Sequence, residues 1–130
     1  KASGLWQFMP GTAKLYGLKI DRYIDERRDP VRSTEAAIAY LKRLYGLFGK
    51  WYLAALAYNS GEGRVLRAIK RAGSDDLHIL LDEKKRYLPR ESRNYIRKIV
   101  SLALVANDAE MCFSGGQSHM FNRAEGRSLV

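Results

Sequence analysis

A chain of 130 residues suffices for one domain with a single buried core, and 46% hydrophobic with 28% charged residues is ordinary for a globular protein. The net charge of +9 implies attraction to polyanions such as nucleic acid, anionic lipid or an acidic cell-wall polymer. The basic residues are spread along the chain without a recognisable nucleic-acid motif, so a nucleic-acid partner is not expected.

The one cysteine, Cys112, excludes an intrachain disulfide. His78 and His119 stand far apart without companion cysteines, so neither a metal site nor a cofactor is expected. No segment approaches the apolar length of a transmembrane helix. The chain opens at Lys1-Ala2-Ser3 without a signal peptide, which says nothing about secretion.

In chain order, Leu5 and Phe8 read as core, while Gln7 is a polar amide inside an apolar run that needs a partner or a cleft. Pro10-Gly11-Thr12 opens a short helix that Gly17 ends. Residues 18–30 form a charged connection whose Asp21, Asp25, Glu26 and Asp29 read as partners for Arg22, Arg27 and Arg28 on a structured surface loop. The spacing of those carboxylates lacks the glycine and terminal glutamate of a calcium loop. Ser33 is a suitable N-cap for an amphipathic helix over 34–47, with Ala37, Tyr40, Leu41, Leu44, Tyr45 and Phe48 on its apolar face.

Residues 51–58 are apolar on nearly every side, which predicts a buried helix. It stops in Ala57-Tyr58-Asn59-Ser60-Gly61-Glu62-Gly63. Spacing alone favours a plain C-cap, in which Asn59 and Gly61 only end the helix. The alternative is an aromatic face and an amide presented beside a cleft, where the amide both donates and accepts. Glu62 then starts a helix bearing Val65, Leu66 and Ile69, with Arg64, Arg67, Lys70 and Arg71 outward. Residues 72–87 suggest a loop with one helical turn. Pro89 leads a last helix over 90–107 whose buried stripe is Ile96, Ile99, Val100, Ala103 and Leu104, with Glu91 structural at its start. Beyond residue 107 the pattern fades into a tail expected to be weakly ordered.

Gly4-Leu5-Trp6-Gln7-Phe8-Met9-Pro10-Gly11-Thr12 followed by Ala57-Tyr58-Asn59-Ser60-Gly61 resembles the lytic transglycosylases of the goose-lysozyme-like superfamily. The wording is most similar to the membrane-bound lytic murein transglycosylase D branch, and Leu88-Pro89-Arg90-Glu91-Ser92-Arg93-Asn94-Tyr95 extends the match. The resemblance implies an all-α, lysozyme-like (goose-type) catalytic domain over 1–107, with 108–130 as the tail. It implies cleavage of peptidoglycan glycan strands between N-acetylmuramic acid and N-acetylglucosamine, closing a 1,6-anhydro ring. By the same resemblance, Gln7, Met9, Tyr58, Asn59, Glu62 and Tyr95 line the sugar groove.

Lytic transglycosylases work with a single Glu as acid and then base, where most glycosidases use two carboxylates. That Glu belongs to a Glu-Ser phrase closing a helix before the Gly-Leu-Trp-Gln segment. It is therefore expected upstream of Lys1, together with the N-terminal helix that carries it. The resemblance also implies a periplasmic place and is compatible with anchorage at the outer membrane through an upstream segment. A peptidoglycan-binding module that keeps the groove without cleaving is the alternative reading.

Overall fold

The computed structural model describes residues 1–114, with side chains through residue 107. Its helices are α1 (Pro10–Leu15), a 3-10 turn (Glu26–Arg28), α2 (Pro30–Phe48), α3 (Trp51–Ser60), α4 (Glu62–Ala72), α5 (Leu77–Leu80) and α6 (Arg90–Ser114). Among the described residues no strand forms, only isolated bridges between Ser3 and Phe8 and between Ile20 and Asp25. The all-α expectation holds. The chain divides into two compact units, residues 1–43 and residues from 44 onward.

The first unit is built on a buried arginine. The Arg27 guanidinium donates to the Asp25 carboxylate from Nε at 2.8 Å and from Nη2 at 2.6 Å. Its Nη1 donates to the carbonyls of Lys1 at 2.8 Å and Phe8 at 3.1 Å. The charge is thus satisfied where it is buried, and the same group ties down both ends of the loop over residues 1–8. Gly4 bends that loop with φ of 78°, and a Cβ there would lie 1.8 Å from the Arg27 carbonyl oxygen. Only glycine meets both demands. Phe8 is buried against the Tyr40 ring, which also packs on Tyr16 with centroids 5.0 Å apart. Leu5, expected in the core, is instead 75% exposed, because the turn at Gly4 directs the chain outward there.

The carboxylates of this unit hold structure together, but of the expected partners only Arg27 is ion-paired among the described residues. Arg22 lies over the Tyr23 ring and Arg28 donates to the Ser3 hydroxyl, while Lys19 and Arg32 take the other acids. Asp25 pairs with Arg27, Glu26 with Arg32 at 3.7 Å, and Asp21 with Lys19 at 3.8 Å. Asp29 caps α2, accepting from the backbone N–H groups of Val31 and Arg32 at 3.0 Å each. That corrects the expected helix start. Pro30 has the fixed φ suited to a first helical position, so the helix begins one turn before Ser33. Ser33 is fully buried inside the first turn, with its hydroxyl lacking a hydrogen-bond partner.

The second unit is organised by α3, whose Tyr52, Leu53, Ala54, Leu56 and Ala57 are buried. Helices α4 and α6 pack on it, and α5 packs on α4. Val65 and Ala68 of α4, Leu80 of α5, and Leu88 and Ile96 complete the core. Helix α6 runs past the expected end to Ser114, and residues 115–130 of the expected tail lie outside the described residues. Its apolar stripe is only partly covered: Ile96 is buried, Ile99 and Val100 are half-buried, and Ala103 and Leu104 are exposed. The lengths explain it. At about 1.5 Å per residue, the 25 residues of α6 far outrun the 10 of α3.

Gly4→Ala is expected to destabilise the protein by about 2 kcal/mol or more through the left-handed backbone and the clash, whereas Gly11→Ala is expected to be near neutral. Gly11 sits in α1 with nothing within 4 Å of a Cβ. Urea unfolding of the two variants checks this, and equal losses would contradict it. The hydrogen bonds from Arg27 hold the Asp25 carboxyl below its ordinary value of 3.8. A lowered folded value means the contribution is complete above 3.8 and disappears as pH falls through the lowered value. Asp25→Asn should therefore be less stable at neutral pH and show a shallower loss of stability on acidification, read from thermal midpoints across an acid series.

Candidate functional site

Helix α3 ends because its apolar run gives way to Asn59, Ser60 and Gly61. The Ser60 hydroxyl donates to the Leu56 carbonyl at 2.7 Å, and the Gly61 N–H donates to the Ala57 carbonyl at 2.8 Å. Gly61 has φ of 91° and both closes α3 and precedes α4. A Cβ on Gly61 would meet nothing within 4 Å, so the backbone conformation alone demands glycine there. This one-residue elbow brings three of the expected site residues together: Tyr58 half-buried, Asn59 exposed, and Glu62 half-buried as the first residue of α4. Asn59 thus presents a donor and an acceptor to solvent from a helix whose Tyr52, Leu53, Ala54, Leu56 and Ala57 are buried. The positive end of α4 favours the Glu62 carboxylate.

Tyr95 lies in the second turn of α6, the helix that packs on α3, and is half-buried beside the fully buried Ile96. Burial pushes its phenol above the ordinary value of 10.0, so it stays a neutral donor throughout the neutral range. In the first unit, Gln7 is exposed with φ of 52°, and its amide Nε2 donates to the Gly4 carbonyl at 2.8 Å. The amide thus has a local partner and a free oxygen edge at the loop surface. Met9 is 55% exposed just before α1. Trp6, on the same loop, is held by an indole N–H donated to the Thr34 hydroxyl at 2.8 Å.

The carboxylates differ in what they can do. Glu35, Glu83 and Glu91 are exposed, and Glu26 is ion-paired and accepts the Lys19 N–H at 2.7 Å. A general acid at neutral pH needs a desolvated carboxyl, which these settings do not supply. Glu91 sits in the first turn of α6, as a structural acid would. The residue that sequence reading underrated is Arg27. Its buried, bifurcated role has only one sequence cue, the arginine following Asp25 by two.

A raised folded value for Tyr95 contributes stability that is complete below 10.0 and lost as pH rises through the raised value. On alkaline titration Tyr95 should ionise late by phenolate absorbance, and Tyr95→Phe should remove its late contribution. An unchanged titration in the variant would contradict the assignment.

The transglycosylase SLT domain family matches residues 1–80 of the chain. Membrane-bound lytic murein transglycosylase D of Escherichia coli K12 is 42% identical over 114 residues, covering 84% of this chain and 24% of that protein. The same protein of Escherichia coli O6:H1 matches to the same extent. Peptidoglycan transglycosylase gp16 of Escherichia phage T7 is 36% identical over 102 residues, 77% of this chain and 7% of that protein. The chain thus spans about a quarter of the length of the murein transglycosylase D relatives. Both the elbow motif and the Gly4 loop fall inside the matched region, and the chain belongs to the SLT transglycosylase domain family, with its all-α lysozyme-like fold.

Proposed function

We propose that this chain acts as a peptidoglycan lytic transglycosylase domain, cutting the bond between N-acetylmuramic acid and N-acetylglucosamine. The observation that carries the reading is the elbow of α3 and α4, which offers the exposed Asn59 amide within the family-matched region. Sugar contacts are assigned to Gln7 and Met9 in the first unit and to Tyr58, Asn59, Glu62 and Tyr95 in the second. Asn59 orients the 2-acetamido group of the substrate, which needs one donor and one acceptor. Tyr95, neutral at working pH, donates a hydrogen bond near the acid.

In this reading the general acid is the single Glu with which lytic transglycosylases work. It protonates the departing glycosidic oxygen while the acetamido group stabilises the cation that develops. The resulting carboxylate then takes the proton from the muramyl 6-hydroxyl, whose oxygen attacks the anomeric carbon and closes the 1,6-anhydro ring. No water is consumed. Such a Glu needs an apolar, partly desolvated setting to hold its proton at neutral pH. A periplasmic place goes with this substrate, and the membrane-bound relatives favour association with a membrane.

The test is incubation of the full-length protein with purified sacculi and mass analysis of the released muropeptides. Anhydro ends, lighter by one water than hydrolysis products, are expected. Asn59→Ala should lower turnover about ten- to hundredfold while the fold is kept, the loss of an oriented hydrogen-bonding pair. Release of reducing-end products only would make the protein a hydrolase. Binding to sacculi without release would make it a binding module.

A further inference from the structure

The second unit holds a cleft of about 580 Å³ whose lining is dominated by arginine. Arg64, Arg67 and Arg71 come from one face of α4, at spacings of three and four residues. Arg86, Arg90 and Arg93 come from the turn before α6 and from its first turn. Tyr87, Leu88 and Pro89 add apolar surface, and no carboxylate lines the cleft. Among the described residues none of the six arginines makes an ion pair.

Of the acids nearest in sequence, Glu91 is exposed and does not line the cleft, and two others are engaged elsewhere. Asp82 accepts from the backbone N–H groups of Lys84 and Lys85, at 2.8 and 3.0 Å, and Glu83 pairs with Arg97 at 3.2 Å. Arg93 is the telling member. It is only 8% exposed, its Nε is buried without a hydrogen-bond partner, and its Nη1 reaches no closer than 3.5 Å to the Asp82 carbonyl. Arg86 is held at φ of 52°, a conformation rare for a side-chain-bearing residue. The Arg71 guanidinium lies 5.7 Å above the Tyr87 ring, which fixes it at the rim.

A buried guanidinium with an unmet donor, in a concave site of uncompensated like charge, calls for an anion. Guanidinium forks match phosphate oxygens in pairs, and the volume falls in the range of small-molecule sites rather than of a single ion. We propose that this cleft binds a compact group carrying two or more closely spaced phosphates, from a soluble diphosphate or from a phospholipid headgroup. The apolar side formed by Tyr87, Leu88 and Pro89 would take the organic body of that ligand. This site is separate from peptidoglycan cleavage and uses none of the residues assigned to it.

The experiment is calorimetric titration of the full chain with inorganic pyrophosphate against sodium chloride at matched ionic strength. Saturable binding is expected. Paired charge reversal, Arg67→Glu with Arg71→Glu, should weaken it about tenfold or more, since each removes a charge-assisted contact from an exposed helix face. Arg93→Gln tests the buried donor separately. Lys14→Glu, in the first unit, should leave binding unchanged. Co-sedimentation with phosphatidylcholine vesicles with and without cardiolipin separates the sources: loss in the same α4 variant assigns the lipid headgroup, and pyrophosphate binding without vesicle binding assigns the soluble ligand. Three outcomes would overturn the proposal: no binding beyond that of matched salt, equal weakening by Lys14→Glu, or binding of duplex DNA with none of pyrophosphate. Because the readout is phosphate binding, its failure leaves muropeptide release unaffected, and the reverse also holds.

Discussion

The first unit depends on the Arg27 guanidinium. Two of its nitrogens engage the Asp25 carboxylate and a third engages the carbonyls of Lys1 and Phe8. Burying a guanidinium is unfavourable unless its donors are met, and here Asp25 and two loop carbonyls meet them. One side chain therefore solves two problems. It neutralises itself on Asp25, and it adds a donor to the carbonyls of Lys1 and Phe8, the second of which also accepts the Ser3 N–H at 3.2 Å. The loop can then run close enough for Gly4 to abut the Arg27 backbone, with Phe8 inside and Gln7 and Met9 outside. The outward pair keep their orientation because the inward members of the loop are fixed.

The second unit rests on a different constraint. Helix α3 is apolar on every side, so it exists only while surrounded, and α4 and α6 both pack on it. A helix held this way cannot slide or fray without exposing core, which makes its C-terminal end a rigid platform. Placing Asn59 one turn beyond fully buried Leu56 and Ala57 couples the exposed amide to the best-packed part of the unit. Gly61 then turns the chain within one residue, so that Glu62 follows at once on a new helix axis. Precision of this kind comes from packing beneath the group rather than from contacts around it.

Much of this was legible in the sequence, where local chemistry decides. The limits of α1 follow from Pro10 and Gly17, those of α3 and α4 from Gly61 and Gly73, and the short α5 from the apolar patch after Asp76. The misreadings share a cause: each needed a contact between residues distant in sequence, or a choice between two adequate local signals. Ser33 is a good cap in isolation, but Asp29 followed by Pro30 is a better one, and the stronger signal took the helix start. Leu5 is apolar and still exposed, because the Arg27 clamp sets the path of its loop. Leu104 has helical spacing with Ile96 and Val100, but spacing says only which face a residue shares, and not how far the covering helix extends. For the candidate site, the elbow motif was visible as a plain cap or a presented amide. The exposure of Asn59 above buried neighbours, which spacing cannot reveal, favours the second.

Both units pair some of their positive charge with carboxylates, Lys50 with Asp75 and Arg97 with Glu83 in the second, but only the second gathers arginines in a cleft without them. In the first, Lys19, Arg27 and Arg32 each meet a carboxylate, so charge there is spent on holding loops and helix starts. In the second, α4 carries Val65 and Ala68 buried on one face and Arg64, Arg67 and Arg71 on another. The buried face holds the helix in place, while the repelling face contributes nothing to that stability. Like charges at helical spacing oppose folding unless something outside the helix compensates them. Their persistence beside a buried Arg93 with an unmet donor is therefore better explained by a ligand than by the fold. The same helix that begins at the elbow with an acid thus continues with a face built for anions. Glu62 opens that helix, and Arg64, Arg67 and Arg71 follow along its length on one face.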